Sequence, residues 1–315
     1  MELRQLRYFV AIVDHGSLSR AALVLHVAQP ALTQQLRQLE DELGVQLLHR
    51  TAQGVLSTDA GKVFYEHALA ILKQVADAQA AVVQSAERPS GSVTLGLPHS
   101  ISGALALPLL TAVRQRYPEI TLQLTEELTG NLAEQLRAGR VNLAVLLDDG
   151  QLGGFATTPL VEEELRYICR VDASLGAGRD SVTLRDALDT TLILPGLQHG
   201  VRPRIESTAR AAGLHARDVI EINSIAILKS AILAGMGATI LPVAPLLAEV
   251  ERGAMRALPI RDPSIARTVV LCASRNIPLT NAAAAVGRLV AQVAHDLCDS
   301  GAWIGAHSLP NQLPQ

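Results

Sequence analysis

Gln29, Pro30, Thr33, Gln34 and Arg37 lie close together in the chain, and four of the five can hydrogen-bond to the edge of a base or to a phosphate. A glutamine amide offers an acceptor beside two donors, which matches adenine, and an arginine fork matches guanine or a phosphate. At about 100° per residue Pro30, Thr33, Gln34 and Arg37 gather with Gln38 on one side of a helix, whereas Leu32, Leu36, Leu39 and Leu43 fall on the other. The leucines must face a core, so the polar side is left for a partner such as a DNA groove. An ordinary solvated helix face is the alternative reading.

The elements around this helix decide between the two. Leu3, Leu6, Phe9, Val10 and Val13 recur at helical spacing until Gly16, and Ser19 is expected to cap a second helix over 20–26. After a tight turn at Val27 and Ala28, Gln29-Pro30 opens the third helix, with proline where its missing N–H costs nothing. Two short helices around such a turn make a helix-turn-helix. Residues 45–58 then read as two short strands around Ala52-Gln53-Gly54, a wing that sets Arg50 and Thr51 toward a phosphate. Thr58 or Asp59 caps a long helix to about residue 86, along which Phe64, Ala68, Ile71, Val75, Ala78 and Val82 form a heptad seam. Such a seam wants a partner helix; packing on the chain's own core is the alternative.

Residues 88–92, Arg-Pro-Ser-Gly-Ser, have the composition of a hinge. Beyond them apolar strands alternate with helices: strands over 93–97, 120–125 and 142–147 with helices over 104–117 and 131–138, a parallel arrangement. A second set has strands over 165–171, 191–194, 219–222 and 238–241, and residues 268–273 with a helix over 282–297 return to the first set. The expected organisation is a DNA-binding domain over 1–59, a linker helix over 60–87, the hinge, and an α/β effector domain over 93–299. That domain divides into lobe I (about 93–163 and 266–299) and lobe II (about 164–265), with a tail over 300–315.

A cleft between two α/β lobes suits a small ligand, which open sheets bind beyond the carboxyl ends of their strands. Ser100 and Ile101 follow the first strand and open a helix, where unpaired N–H groups favour an anion. Thr129 ends the second strand in the same way. Gln198, His199 and Arg202 supply donors from the opposite lobe, and Asn223 sits where a lobe II strand becomes a helix. Any one of these taken singly is an ordinary helix cap; their joint placement at strand ends favours a site.

Composition bounds the alternatives. The 315 residues, 49% hydrophobic and 18% charged, suffice for two or three domains with cores of their own. The 27 basic and 30 acidic residues give a net charge of −3, so the DNA reading rests on pattern and not on a basic footprint. Glu2, Arg4, Arg7 and Asp14 interrupt any apolar leader, and Pro242 and Pro245 break the uncharged run 230–248, so the expected location is the cytoplasm, with no membrane partner. Cys169, Cys272 and Cys298 form no CxxC pair, and neither a metal nor another cofactor is expected. No GxSxG elbow, HExxH helix or GxxxxGK[ST] loop occurs, and Gly235-Met236-Gly237 lacks the third glycine of a dinucleotide fingerprint, so the chain is not expected to be an enzyme. A cytoplasmic solute-binding protein is the remaining alternative.

Residues 3–61, LRQLRYFVAIVDHGSLSRAALVLHVAQPALTQQLRQLEDELGVQLLHRTAQGVLSTDAG, resemble the DNA-binding domain of LysR-type transcription regulators almost end to end. The segments GVRPRIE, EINSIAILKSAILAGMGATILP and GAMRALPIRDP resemble their two-lobed, periplasmic-binding-protein-like effector domain, and LILPGLQHGVR is similar to the nitrogen-assimilation-control branch. The resemblance implies that Gln29, Pro30, Thr33 and Gln34 meet the groove, that the wing around Arg50 touches the DNA backbone, and that the long helix pairs subunits. It further implies homotetramers and control by a small-molecule effector, with RNA polymerase as a further candidate partner. Ala28 stands where a serine is usual and Gln34 where an arginine is frequent, which removes a phosphate contact and leaves base preference open.

Overall fold

The computed structural model describes residues 1–51, 54–83, 88–197 and 200–310, which fall into two compact units. The first comprises α1 (Leu3–His15), α2 (Leu18–Val24), α3 (Gln29–Leu43), the strands β1 (Leu48–Thr51) and β2 (Gly54–Ser57), and α4 (Asp59–Val83). α1 stops at Gly16, whose φ of 58° is left-handed. Ser17, not Ser19, caps α2, accepting from the N–H of Arg20 at 3.4 Å. The cap falls two residues earlier because Leu18 is already helical and buried, so the serine before it is the one positioned to close the first turn.

Leu6, Phe9, Ile12, Ala21, Leu32, Leu39 and Leu47 are almost wholly buried together, and Phe9 meets Phe64 edge-to-face at 5.1 Å. Leu43, the last of the expected leucine stripe, is 39% exposed because α3 has run past the core at that point. The heptad seam of α4 divides in the same way. Phe64 and Ala68 pack into this core, whereas Ile71 and Val82 are exposed. β1 and β2 pair antiparallel from Leu48 opposite Ser57 to Thr51 opposite Gly54; Ala52 and Gln53 lie outside the described residues.

In the second unit the chain runs through β3 (Gly91–Pro98), α5 (His99–Arg116), β4 (Ile120–Glu127), α6 (Thr129–Arg137), β5 (Leu143–Leu147) and β6 (Phe155–Glu164). It then forms β7 (Arg166–Arg170), β8 (Val182–Thr183), α7 (Leu184–Leu188), β9 (Thr191–Leu194), α8 (Val201–Ala211), β10 (Asp218–Glu221), α9 (Ile225–Leu233), β11 (Thr239–Leu241), α10 (Leu247–Glu251) and β12 (Met255–Arg261). It returns through β13 (Ala266–Ser274), α11 (Asn281–Asp299) and β14 (Ala306–Ser308). The first lobe is a six-stranded sheet, β14-β6-β13-β5-β3-β4, in which β3 pairs parallel with β4 and β5 while β13 runs antiparallel to β5 and β6. The second lobe has a sheet in the order β11-β7-β12-β8 and a parallel pair, β9 and β10. The Leu165 N–H bonds the carbonyl of Ile265 at 2.8 Å, tying together the two crossings between the lobes.

Several sequence expectations shift here. α5 begins at His99, five residues earlier than its apolar spacing indicates, because Pro98 supplies an extended N-cap and leaves the next residues free to turn. Gly91 and Ser92 belong to β3 instead of a hinge, the Gly91 N–H bonding Glu119 O at 3.1 Å; residues 84–87 lie outside the described set. Residues after 299 do not form a free tail up to 310: β14 pairs with β6, and Trp303 is 1% exposed. Burial of its large ring outweighs the cost of ordering the segment. No described helix is long and apolar enough to cross a membrane.

Candidate functional site

In the first unit, α3 turns Leu32, Leu36 and Leu39 inward and leaves Gln29, Pro30, Gln34 and Arg37 exposed, with Thr33 half-buried beside them. Ala28 occupies the N-cap and offers no side-chain bond, so the first-turn N–H groups of α3 face solvent, where the helix dipole favours a negative group. The Ser19 hydroxyl donates to Gln29 Oε1 at 3.0 Å, a contact absent from the sequence reading. It orients the Gln29 amide and leaves its NH2 outward. Arg50 is exposed on β1, and Thr51 donates to the carbonyl of Gly54 at 3.2 Å, which steadies the wing.

Two glycines hold these pieces in register. Gly54 has φ of 138°, and a Cβ there would lie 2.4 Å from the Gly16 carbonyl oxygen, which accepts the Val55 N–H at 2.9 Å. Gly61 lies against Leu47, whose carbonyl accepts the Thr58 N–H at 2.9 Å, while Thr58 Oγ1 caps α4 through the Gly61 N–H. Glu40, on the core-side flank of α3, accepts the N–H groups of Leu47 and Leu48 at 2.8 and 3.2 Å and so fixes the start of the wing. A groove of about 850 Å³ runs between α3 and the wing, with Arg37 and Arg50 opposed by Glu40 and Asp41.

In the second unit the carboxyl ends of β3 and β4 meet the opposite lobe around a cavity of about 30 Å³, room for one or two waters. Ser100, Thr129 and Asn223 line it, together with Glu127, Gly200 and Val201. Asn223 Oδ1 accepts the Gly196 N–H at 2.8 Å, which leaves its NH2 as a donor. Thr129 opens α6, and Ser100 lies in the first turn of α5. Lobe contact is tight on either side: a Cβ on Gly200 would come within 2.8 Å of Leu147 Cδ1, and one on Gly103 within 3.0 Å of Ala244 O. A wider opening of about 470 Å³ adjoins the cavity, where His99 and Ser102 both engage Glu126.

Not every expected residue reaches this cavity. The side chain of Ile101 is fully buried in the core of the first lobe, so only its backbone can face a ligand. Arg202 is absent from the lining: its guanidinium donates to Glu206 at 2.8 Å and Glu221 at 3.0 Å within the second lobe. Its fork is satisfied by two carboxylates of its own lobe, which hold it away from the cavity lining. Gln198 and His199 lie outside the described residues. Sequence reasoning missed Arg267, which donates to Ser100 Oγ at 3.0 Å. Its strand was recognised, but only the pairing register reveals that Arg267 stands opposite Glu163.

Comparison with known proteins agrees with both halves. Residues 3–62 match the family described as bacterial regulatory helix-turn-helix protein, lysR family, and residues 86–294 match the LysR substrate binding domain. The chain is 42% identical over 243 residues to the nitrogen assimilation regulatory protein nac of Klebsiella aerogenes, covering 77% of this chain and 78% of that one. It is 31% identical over 279 residues to a hydrogen peroxide-inducible genes activator of Pectobacterium carotovorum subsp. carotovorum, covering 89% and 92%. The crystal structure of CbnR, a LysR family transcriptional regulator, superposes with a TM-score of 0.70 at 23% identity over 93% of this chain and 99% of its own. The chain therefore belongs to the LysR family, as a DNA-binding transcription regulator with an effector-binding domain and not an enzyme.

Proposed function

We propose that this regulator reads an interrupted palindrome as a dimer, with Gln29, Thr33 and Gln34 at base edges, Pro30 at the groove floor, and Arg37, Arg50 and Thr51 on the backbone. The observation that carries the reading is the division of α3, in which Leu32, Leu36 and Leu39 are buried while Gln29, Pro30, Gln34 and Arg37 are exposed beside solvent-facing first-turn N–H groups. Exposed Ile71 and Val82 on α4 support a helix-to-helix pairing of subunits, from which tetramers are built. Half-sites then lie about 34–36 Å apart. Gln29→Ala and Gln34→Ala should blunt discrimination between sequences. Arg50→Ala should weaken all DNA alike and lower the salt slope by about one. Gel retardation at several salt concentrations checks this, and unchanged discrimination in the Gln29→Ala/Gln34→Ala double variant would refute the assignment.

The cavity between the lobes is the effector site in this reading, and its ligand is a small anion. Ser100, Thr129 and the Asn223 NH2 offer hydroxyl and amide donors, and first-turn N–H groups of α5 add to them, against one carboxylate, Glu127, whose Oε2 accepts from Asn131 at 3.1 Å. At about 30 Å³ the cavity admits a ligand only if the lobes part, so binding and lobe movement are coupled. The relatives' names suggest two signals, nitrogen status and peroxide. Peroxide chemistry needs a thiolate, and burial pushes the Cys272 thiol up to about 12 and raises Cys169 and Cys298 as well, which argues against thiol sensing here.

A further inference from the structure

The wall of the cavity is fastened from behind by a buried chain of polar groups. Cross-strand pairing sets Arg267 on β13 opposite Glu163 on β6, and their side chains are 3% and 0% exposed. Arg267 Nε and Nη2 donate to Glu163 Oε2 at 2.8 and 2.6 Å, and the indole N–H of Trp303 donates to Oε1 at 2.7 Å. The remaining fork nitrogen, Nη1, donates to Ser100 Oγ at 3.0 Å. Ser100 alone of these four lines the cavity.

Arginine has donors and no acceptor, so Ser100 can only accept from it, and the one hydroxyl proton of Ser100 must point elsewhere. No group among the described residues accepts that proton. We propose that Arg267 sets the chemical preference of the cavity by holding Ser100 as a donor toward the ligand, so that the site selects an oxyanion over a neutral isostere. Glu163 and Trp303 are the positioning residues that keep the guanidinium in place, which makes the segment after α11 part of the ligand site. The inference rests on the cavity being the effector site, and it adds the residue that decides what the cavity accepts.

Acetate and its neutral isostere acetamide are suitable probes, their affinities for the full-length chain being compared by saturation-transfer NMR. The chain has a single tryptophan, so the emission of Trp303 reports on the buried group directly. Wild type should prefer acetate by about tenfold or more, as a charge-assisted hydrogen bond requires. Acetate should also shift the Trp303 emission saturably. Ser100→Ala should lose both the preference and the shift. Removing only one partner of the ion pair would strand a buried charge and endanger folding, so Arg267 is tested in the double variant Glu163→Gln/Arg267→Met, which removes both charges together. That variant, shown folded by its circular dichroism, should bring the two probes to within about threefold of each other, the loss of one charge-assisted bond. Trp303→Phe should show an intermediate preference. If the double variant keeps the full preference while Ser100→Ala loses it, Arg267 has no such role although the cavity reading stands. If wild type binds neither probe, the cavity reading falls and this proposal with it.

Discussion

Gly61→Ala is a small change with a large expected effect on the DNA-binding unit. A Cβ at this position would lie 1.9 Å from the Leu47 carbonyl oxygen and 2.9 Å from its carbon. An ordinary carbon–oxygen contact is about 3.3 Å, so more than about 1 Å of separation has to be found. Leu47 cannot give way freely, because its carbonyl accepts the Thr58 N–H at 2.9 Å and its own N–H is held by Glu40 at 2.8 Å. Losing both bonds costs about 2 kcal/mol, and overpacking adds about 1–3 kcal/mol. The better helix propensity of alanine returns at most about 1 kcal/mol, so the net is a destabilisation of about 2–4 kcal/mol. For a unit of this size that corresponds to a fall of about 10 °C or more in melting temperature. Scanning calorimetry of the full chain, with hydrogen exchange to locate the loosened amides, measures it. Gly287 in α11 is the internal control: its added Cβ would meet Leu271 Cδ2 at 3.5 Å, an ordinary contact, so Gly287→Ala should not destabilise. Equal melting of Gly61→Ala and wild type would show that the close approach to Leu47 does not constrain the unit.

Two further outcomes are expected. The phenol of Tyr65 is pushed up to about 12, by burial first and then by its hydrogen bond to Asp14 and the nearby carboxylate charges. Because the neutral form is favoured on folding, its contribution to stability is complete below about pH 10 and is lost between about pH 10 and the folded-state value. Tyr65→Phe should flatten the alkaline stability profile across that window in urea titrations; an unchanged profile would count against the assignment. Ile71→Glu with Val75→Glu should convert dimers into monomers in sedimentation, since a charge on an apolar pairing face cannot be buried without a partner; a dimer that persists would exclude α4 as the pairing element.

Much of the exposed polar face of α3 is legible in the sequence because it rests on local rules. The period of Leu32, Leu36 and Leu39 fixes which side of α3 is buried, and a proline at the start of α3 with a glycine at its end marks its limits. The chain alone likewise determined that apolar strands and helices alternate after residue 92, hence the two-lobed α/β class. Periodicity could not say how the seam of α4 divides. Phe64 meets Phe9, 55 positions earlier, and only packing shows that this end of the seam belongs to the unit's own core. The cap of α2 is not fixed by residue type, since Ser17 and Ser19 are equally good caps and the burial of Leu18 chooses between them. The cavity was least legible. Ser100, Thr129 and Asn223 are legible because strand ends announce themselves, but nothing local in the sequence shows that Arg202 is held by two carboxylates. Glu163, Arg267 and Trp303 are separated by up to 140 positions, and none stands in a motif. What joins them is the register of β6 against β13 and the return of the chain as β14, long-range pairings set by the packing of the whole sheet, to which no local stretch of sequence has access.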